Sequence, residues 1–121
     1  MTVRIGVIGF RHNHIYDLYR QAERLPEVEI VATCEEDPEA RRRVEEREFV
    51  QLTHADHEDL IASADCDAIA VGDYYGRRGG LLIEALSAGK HVIADKPLCT
   101  RLSELDEIER LSADKMRPNE K

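Results

Sequence analysis

Asp95-Lys96-Pro97 sets a carboxylate, a primary amine and a rigid ring side by side. An amine held against a substrate oxygen can polarise it or move a proton, and a neighbouring carboxylate can tune the amine's pKa. The triplet closes Gly89-Lys90-His91-Val92-Ile93-Ala94, in which a glycine-ended helix runs into a short β-branched strand. Carboxyl ends of parallel strands are where open α/β sheets build their sites. A matching signal opens the chain, because Val3-Arg4-Ile5-Gly6-Val7-Ile8-Gly9 reads as a buried strand delivering a glycine into a loop ahead of a helix. Together the two stretches predict a dinucleotide-binding domain.

The elements that must position these residues alternate along the chain. Ile15, Leu18, Tyr19, Ala22 and Leu25 recur at helical spacing and predict a helix from Asn13 to Arg24, ended by Pro26. Glu29 to Cys34 reads as a second strand. Asp37-Pro38 starts a second helix, with the aspartate at N-cap and the proline at the first helical position, and a strongly charged run carries it to Arg47. Phe49 to Leu52 predicts a short third strand, followed by a helix from Glu58 to Ser63. Ala68 to Val71 is continuously apolar, as a strand covered on both faces should be. Leu81, Leu82, Ala85 and Leu86 line one face of a helix ending at Gly89, and His91 to Ala94 is the fifth strand. A last helix, Ser103 to Leu111, would bury Leu105, Ile108 and Leu111, and the tail from Ser112 is polar. The expected architecture is one α/β domain, residues 1–111, with a doubly wound parallel sheet of five strands in the order 3-2-1-4-5, and a tail over 112–121.

Composition narrows the function classes. A chain of 121 residues that is 42% hydrophobic holds one compact core. Its formal charge of −8 opposes sequence-independent binding to nucleic acid or to an anionic membrane. Arg4 and Gly6 interrupt an apolar run too short for a signal peptide, and no stretch approaches the roughly 20 residues of a membrane span. A cytoplasmic location is expected. Cys34, Cys66 and Cys99 stand at wide spacing without a zinc or disulfide pattern and are expected to be ordinary thiols.

Gly6-Val7-Ile8-Gly9, Val31-Ala32-Thr33-Cys34-Glu35, Asp67-Ala68-Ile69-Ala70-Val71 and Ala88-Gly89-Lys90-His91-Val92 through Asp95-Lys96-Pro97 resemble the N-terminal half of the glucose–fructose oxidoreductase and inositol dehydrogenase (Gfo/Idh/MocA) family. The resemblance extends to about Leu111, and its last block is the specific one. It implies a Rossmann domain that binds NAD or NADP, with Lys96 beside the nicotinamide as the catalytic residue that orients or protonates the substrate. It also implies cofactor contact by Gly6, Gly9, Phe10, Arg11, His12, Asn13, Glu35, Gly72, Tyr74, Asp95 and Pro97. Glu35 stands where the adenosine ribose hydroxyls are received, and Glu36 follows it. Two carboxylates would repel a 2′-phosphate, so NAD is expected over NADP. The competing reading is that both glutamates lead into a charged helix whose Arg41, Arg42 and Arg43 compensate them.

The phosphate loop departs from the family's glycine pattern, since Arg11 and His14 occupy its second and third positions. A side chain there either holds the pyrophosphate off or, at Arg11, offers it a guanidinium, while the helix N-terminus still favours an anion. His12, Asn13 and His14 lack the ligand spacing of a metal centre, and His54-Ala55-Asp56-His57-Glu58-Asp59 reads better as helix capping than as a zinc cluster. Beyond the fourth strand, Tyr74 and Tyr75 either stack on a ring or cover the sheet end, and Arg77 or Arg78 could bind an anionic group. The larger second domain that family members carry, with its substrate pocket, is expected to be absent. The expectation is therefore the cofactor domain of an oxidoreductase for sugar-like or polyol substrates, truncated or free-standing and without full activity alone. Alternatives are a non-catalytic nucleotide-binding module with a degenerate loop, or a protein-interaction module. An unpaired edge at the fifth strand would favour a homodimer.

Overall fold

A computed structural model describes residues 2–11, 13–73, 75–94 and 108–111. Its elements run β1 (Val3–Ile8), α1 (Asn13–Arg24), β2 (Val28–Cys34), α2 (Pro38–Glu46), α3 (His57–Ser63), β3 (Ala68–Val71), α4 (Tyr75–Ser87) and β4 (His91–Ala94). The strands form one parallel sheet in the order β2-β1-β3-β4. The chain reverses its direction of travel between β1 and β3, so the carboxyl ends of those neighbours frame the crevice where open sheets bind ligands.

Among the described residues the sheet has four strands rather than five, which corrects the expected third strand. The segment predicted as strand Phe49 to Leu52 does run along β2, but side chains take the place of a ladder. The Thr33 N–H donates to the Thr53 hydroxyl at 2.8 Å, and the Thr33 hydroxyl donates to the Gln51 carbonyl. Thr53 and His54 both donate their N–H to the Thr33 carbonyl at 3.0 Å, and a single bridge joins Cys34 to His54. With two threonines absorbing the donors and acceptors at the edge of β2, the backbone pairing does not propagate. The expected order with its outermost strand removed is the observed one.

The helix boundaries follow from local chemistry. The Asp37 side chain accepts the Ala40 N–H at 2.9 Å at the start of α2, with Pro38 at its first position. Asp56 does the same for α3 through the Asp59 N–H at 2.8 Å. Each face of the sheet then covers its own core. Val7, Phe10, Ile15, Tyr16, Tyr19 and Val44 pack beneath α1 and α2. Ile8, Leu60, Ile69, Leu82, Ala85 and Ile108 pack on the opposite face with α3 and α4. Of the predicted last helix, Ser103 to Leu111, residues 108–111 are described and are helical. The remainder of that helix, the tail and Cys99 lie outside the described residues.

Two glycines set how closely the ends of β1 and β3 approach. Gly9 has φ +88°, and a Cβ on it would lie 2.6 Å from the Asp73 nitrogen. A Cβ on Gly72 would lie 2.5 Å from the Gly9 carbonyl oxygen and 2.6 Å from Ile15 Cβ. Backbone bonds close the same crossing: Gly9 N–H to the Cys34 carbonyl, Gly72 N–H to the Ile8 carbonyl and Arg11 N–H to the Gly72 carbonyl, at 2.8 to 3.0 Å. Gly80, inside α4, meets nothing within 4 Å. Gly72→Ala should therefore destabilise the fold by about 2–3 kcal/mol through overpacking. Gly80→Ala should stabilise it by about 0.5–1 kcal/mol by raising helix propensity. Urea unfolding midpoints of the two variants should move in opposite directions, and a neutral Gly72→Ala would contradict the close crossing.

Candidate functional site

The carboxyl ends of β1, β2 and β3 gather the polar residues, and Glu35 is among the deepest of them. Its residue surface is fully buried. Its Oε1 accepts the Phe10 N–H at 2.7 Å, and its Oε2 accepts the Asp37 N–H at 2.9 Å. The Arg11 Nε–H lies between the two oxygens, 3.3 Å from Oε1 and 3.1 Å from Oε2. A carboxylate has about four acceptor sites. Two backbone amides take one on each oxygen, and one guanidinium spans the remaining pair.

From Glu35 the charges continue outward across the sheet ends. Arg11 also reaches Asp73, whose residue is 2% exposed, with Nη2 to Oδ1 at 3.5 Å. Arg77 bridges Asp73 at 3.2 Å and Glu36 at 2.6 Å. Glu36 in turn accepts both the His57 backbone N–H at 2.8 Å and its ring Nδ1 at 2.7 Å, while His57 Nε2 stands 2.8 Å from Glu84. Arg78 is fully buried, and its Nη2 donates to the Asp73 carbonyl at 3.2 Å. Sequence reasoning missed Asp73, His57 and Glu84 as members of this network. Only the i,i+4 spacing of Asp73 and Arg77 was a local signal for it.

Glu35 and Glu36 thus pair with Arg11 and Arg77, and Arg43 pairs with Glu39 along its own helix at 3.6 Å. Gly6 lies inside β1, where an added Cβ would press on Leu60 at 3.0 Å, and Gly9 and Gly72 form the close crossing. The Phe10 ring is buried against Tyr16 and Tyr19, with centroids 5.5 and 6.3 Å away, so Phe10 offers its backbone N–H to the site. His12, Tyr74, Asp95, Lys96, Pro97 and the Asn13 side chain lie outside the described residues. An open cavity of about 320 Å³ adjoins the same sheet end, lined by His14, Ile15, Asp17, Leu18 and Gln21 of α1 and by Val71, Gly72, Ile93 and Ala94. α1 begins beside this loop, which places its positive dipole end there.

The buried thiols are chemically quiet. Burial, reinforced by Glu36 and Glu35, pushes Cys34 up to about 12, and burial also raises Cys66. Among the described residues no helix is long and apolar enough to cross a membrane, and no group of three or more His, Cys, Asp or Glu is placed to hold a metal ion. Glu36 is a strongly perturbed carboxyl. Burial works against its ionised form, but hydrogen bonds from the His57 N–H, the Arg77 guanidinium and the His57 ring hold it down to about 2, from an ordinary 4.5. A carboxyl whose folded pKa is depressed contributes stability above its unfolded pKa and loses it as pH falls through the folded one. Between about pH 5 and about pH 3 the wild type should therefore lose more stability than Glu36→Gln. Parallel urea midpoints for the two proteins over that range would contradict the assignment.

This architecture and its sequence have relatives. The model of the oxidoreductase family with an NAD-binding Rossmann fold, Gfo/Idh/MocA, matches residues 3–117. The chain is 34% identical over 105 residues to inositol 2-dehydrogenase/D-chiro-inositol 3-dehydrogenase of Shouchella clausii, a match that covers 83% of this chain and 29% of that protein. The WlbA dehydrogenase of Bordetella pertussis, solved with NADH and UDP-GlcNAcA, shares the fold at a TM-score of 0.78 and 23% identity, over 95% of this chain and 36% of the other. KijD10, a 3-ketoreductase of Actinomadura kijaniata solved with TDP-benzene and NADP, also gives a TM-score of 0.78, at 26% identity over 95% of this chain and 36% of the other. The chain thus spans about a third of the length of the proteins it matches. A family match over nearly the whole chain, on a parallel sheet whose strand ends carry the glycine crossing, makes this chain a member of the Gfo/Idh/MocA oxidoreductase family and its NAD(P)-binding Rossmann domain.

Proposed function

We propose that the chain is the cofactor-binding part of an NAD-dependent oxidoreductase for a sugar-like or polyol substrate. The observation that carries this reading is Glu35, set at the carboxyl end of β2 beside the Gly9 turn with the Phe10 and Asp37 amides aiming its two oxygens. The residues present fit an adenine dinucleotide. Beyond its backbone bonds Glu35 has one acceptor site on each oxygen, spanned by the Arg11 Nε–H, and that pair of sites matches a ribose diol. The Gly9–Gly72 crossing keeps the loop low over the sheet end, and the start of α1 presents its positive end beside it.

When bound, the nicotinamide ring would accept or donate hydride at the substrate carbon. Lys96 follows Ala94, which lines the cavity at the sheet end, by two residues. In this reading Lys96 holds a proton against the substrate oxygen, and Asp95 beside it sets how readily the amine gives that proton up. The inositol-oxidising relative supports a polyhydroxylated substrate. A second reading, a nucleotide-binding module without catalysis, draws on Arg11, which already engages the ribose-reading carboxylate.

Cofactor choice follows from the two carboxylates at the end of β2. In this reading Glu35 and Glu36 both oppose a 2′-phosphate, so NADH should bind this chain at least about tenfold more tightly than NADPH, a difference of about 1.4 kcal/mol. Isothermal titration calorimetry with each cofactor measures it. Tighter binding of NADPH would overturn the choice of NAD, and no binding of either would overturn the cofactor-domain reading.

A further inference from the structure

Arg11 and Glu35 form a pair whose geometry has a use beyond holding the loop. The Glu35 carboxylate receives backbone N–H groups from Phe10 and Asp37, one to each oxygen, and these bonds belong to the chain itself. The remaining acceptor site on each oxygen is covered by a single donor, the Arg11 Nε–H, at 3.3 and 3.1 Å. One donor shared between two oxygens is a weaker arrangement than two separate linear bonds. A vicinal diol carries two O–H donors and would supply one to each oxygen. The guanidinium therefore stands in place of a ribose diol.

Arg11 is also the more exposed part of this arrangement, and on leaving it would hand Asp73 over to Arg77. Its side chain keeps 16% of its surface exposed, while the Glu35 side chain has none. It sits on the loop directly ahead of α1, where an anion is favoured by the helix end. A diphosphate offers a guanidinium bidentate, charge-assisted bonds of the kind it makes with carboxylates. Taking Glu35's cover away without a replacement would leave a buried carboxylate short of donors, which costs several kcal/mol when a buried ion pair is broken on one side. Displacement of Arg11 is thus favourable when an anion takes the arginine and a diol takes the glutamate together.

Building on the cofactor-domain reading above, we propose that Arg11 is an exchangeable occupant of the diol-binding face of Glu35, moved onto the ligand's phosphate when a nucleotide enters. The exchange couples the two halves of the ligand. Molecules that carry both a diol and a phosphate are selected over nucleosides, which cannot draw Arg11 away. Arg11 in this role is a specificity-determining residue that replaces the missing second glycine of the loop with a conditional plug.

The test uses adenosine, inorganic pyrophosphate, 2′-deoxyadenosine and NADH, with calorimetry on the chain. Because coupling between two ligands is reciprocal, saturating pyrophosphate should tighten adenosine binding at least about fivefold, and adenosine should tighten pyrophosphate equally. Pyrophosphate should do nothing for 2′-deoxyadenosine, which lacks the diol. Arg11→Gln should bind adenosine several-fold more tightly than the wild type and show no pyrophosphate effect. Independent binding, competition, or no adenosine binding with pyrophosphate present would overturn the proposal, as would weaker adenosine binding by Arg11→Gln. If that variant fails to fold, the wild-type coupling decides alone. NADH separates the two readings: NADH binding without coupling removes the exchange and keeps the cofactor domain, whereas coupling without NADH binding does the reverse.

Discussion

A carboxylate withdrawn wholly from water must recover donors for its lone pairs, and Glu35 obtains its donors from two parts of the chain, the loop after β1 and the turn into α2. The Phe10 N–H comes from the loop after β1, the Asp37 N–H from the turn into α2, and the guanidinium from Arg11. These bonds tie the glycine turn to the end of β2 and fix where α2 begins. Asp37 then uses its own side chain to cap that helix through Ala40, so one buried acid sets two successive chain directions. The Gly9–Gly72 crossing completes the arrangement by letting β3 approach the same loop without a Cβ in between.

The outer charges depend on that centre. Asp73 is nearly buried and is shared by Arg11 and Arg77, while Arg77 passes the linkage to Glu36 and so to His57. Exposed ion pairs contribute little individually, and partly buried ones are destabilising when one partner is removed. The chain avoids that loss by giving each buried carboxylate at least one guanidinium and, for the two glutamates, a backbone N–H as well. The result is a sheet end whose polar side chains are held in place by one another. A ligand there must exchange contacts rather than add them.

Much of this was legible in the sequence where local rules decide the outcome. The α1 boundaries followed from apolar spacing and Pro26, the α2 start from Asp37-Pro38, and β3 from a continuous apolar run. The third strand failed because Phe49 to Leu52 has strand-like residues while the competing bonds come from Thr33 and Thr53, whose hydroxyl geometry no local pattern reveals. The strand ends that build the site were foreseeable from the glycines. The partners of Glu35 and Glu36 were not, since Arg11 and Arg77 lie 24 and 41 residues away and meet them only through the sheet order.

Family membership accounts for the fold, and Arg11, at the second position of the glycine loop, covers the buried Glu35 carboxylate. In the proposed exchange, Glu35 at the end of β2 receives the nucleotide ribose and releases its arginine to do so. A crystal structure of the chain with ADP-ribose bound tests this most directly. The account predicts that Glu35 keeps its bonds from the Phe10 and Asp37 amides, accepts both ribose hydroxyls, and has lost Arg11 to the diphosphate. A nucleotide seated elsewhere, with the Arg11–Glu35 pair intact, would contradict it.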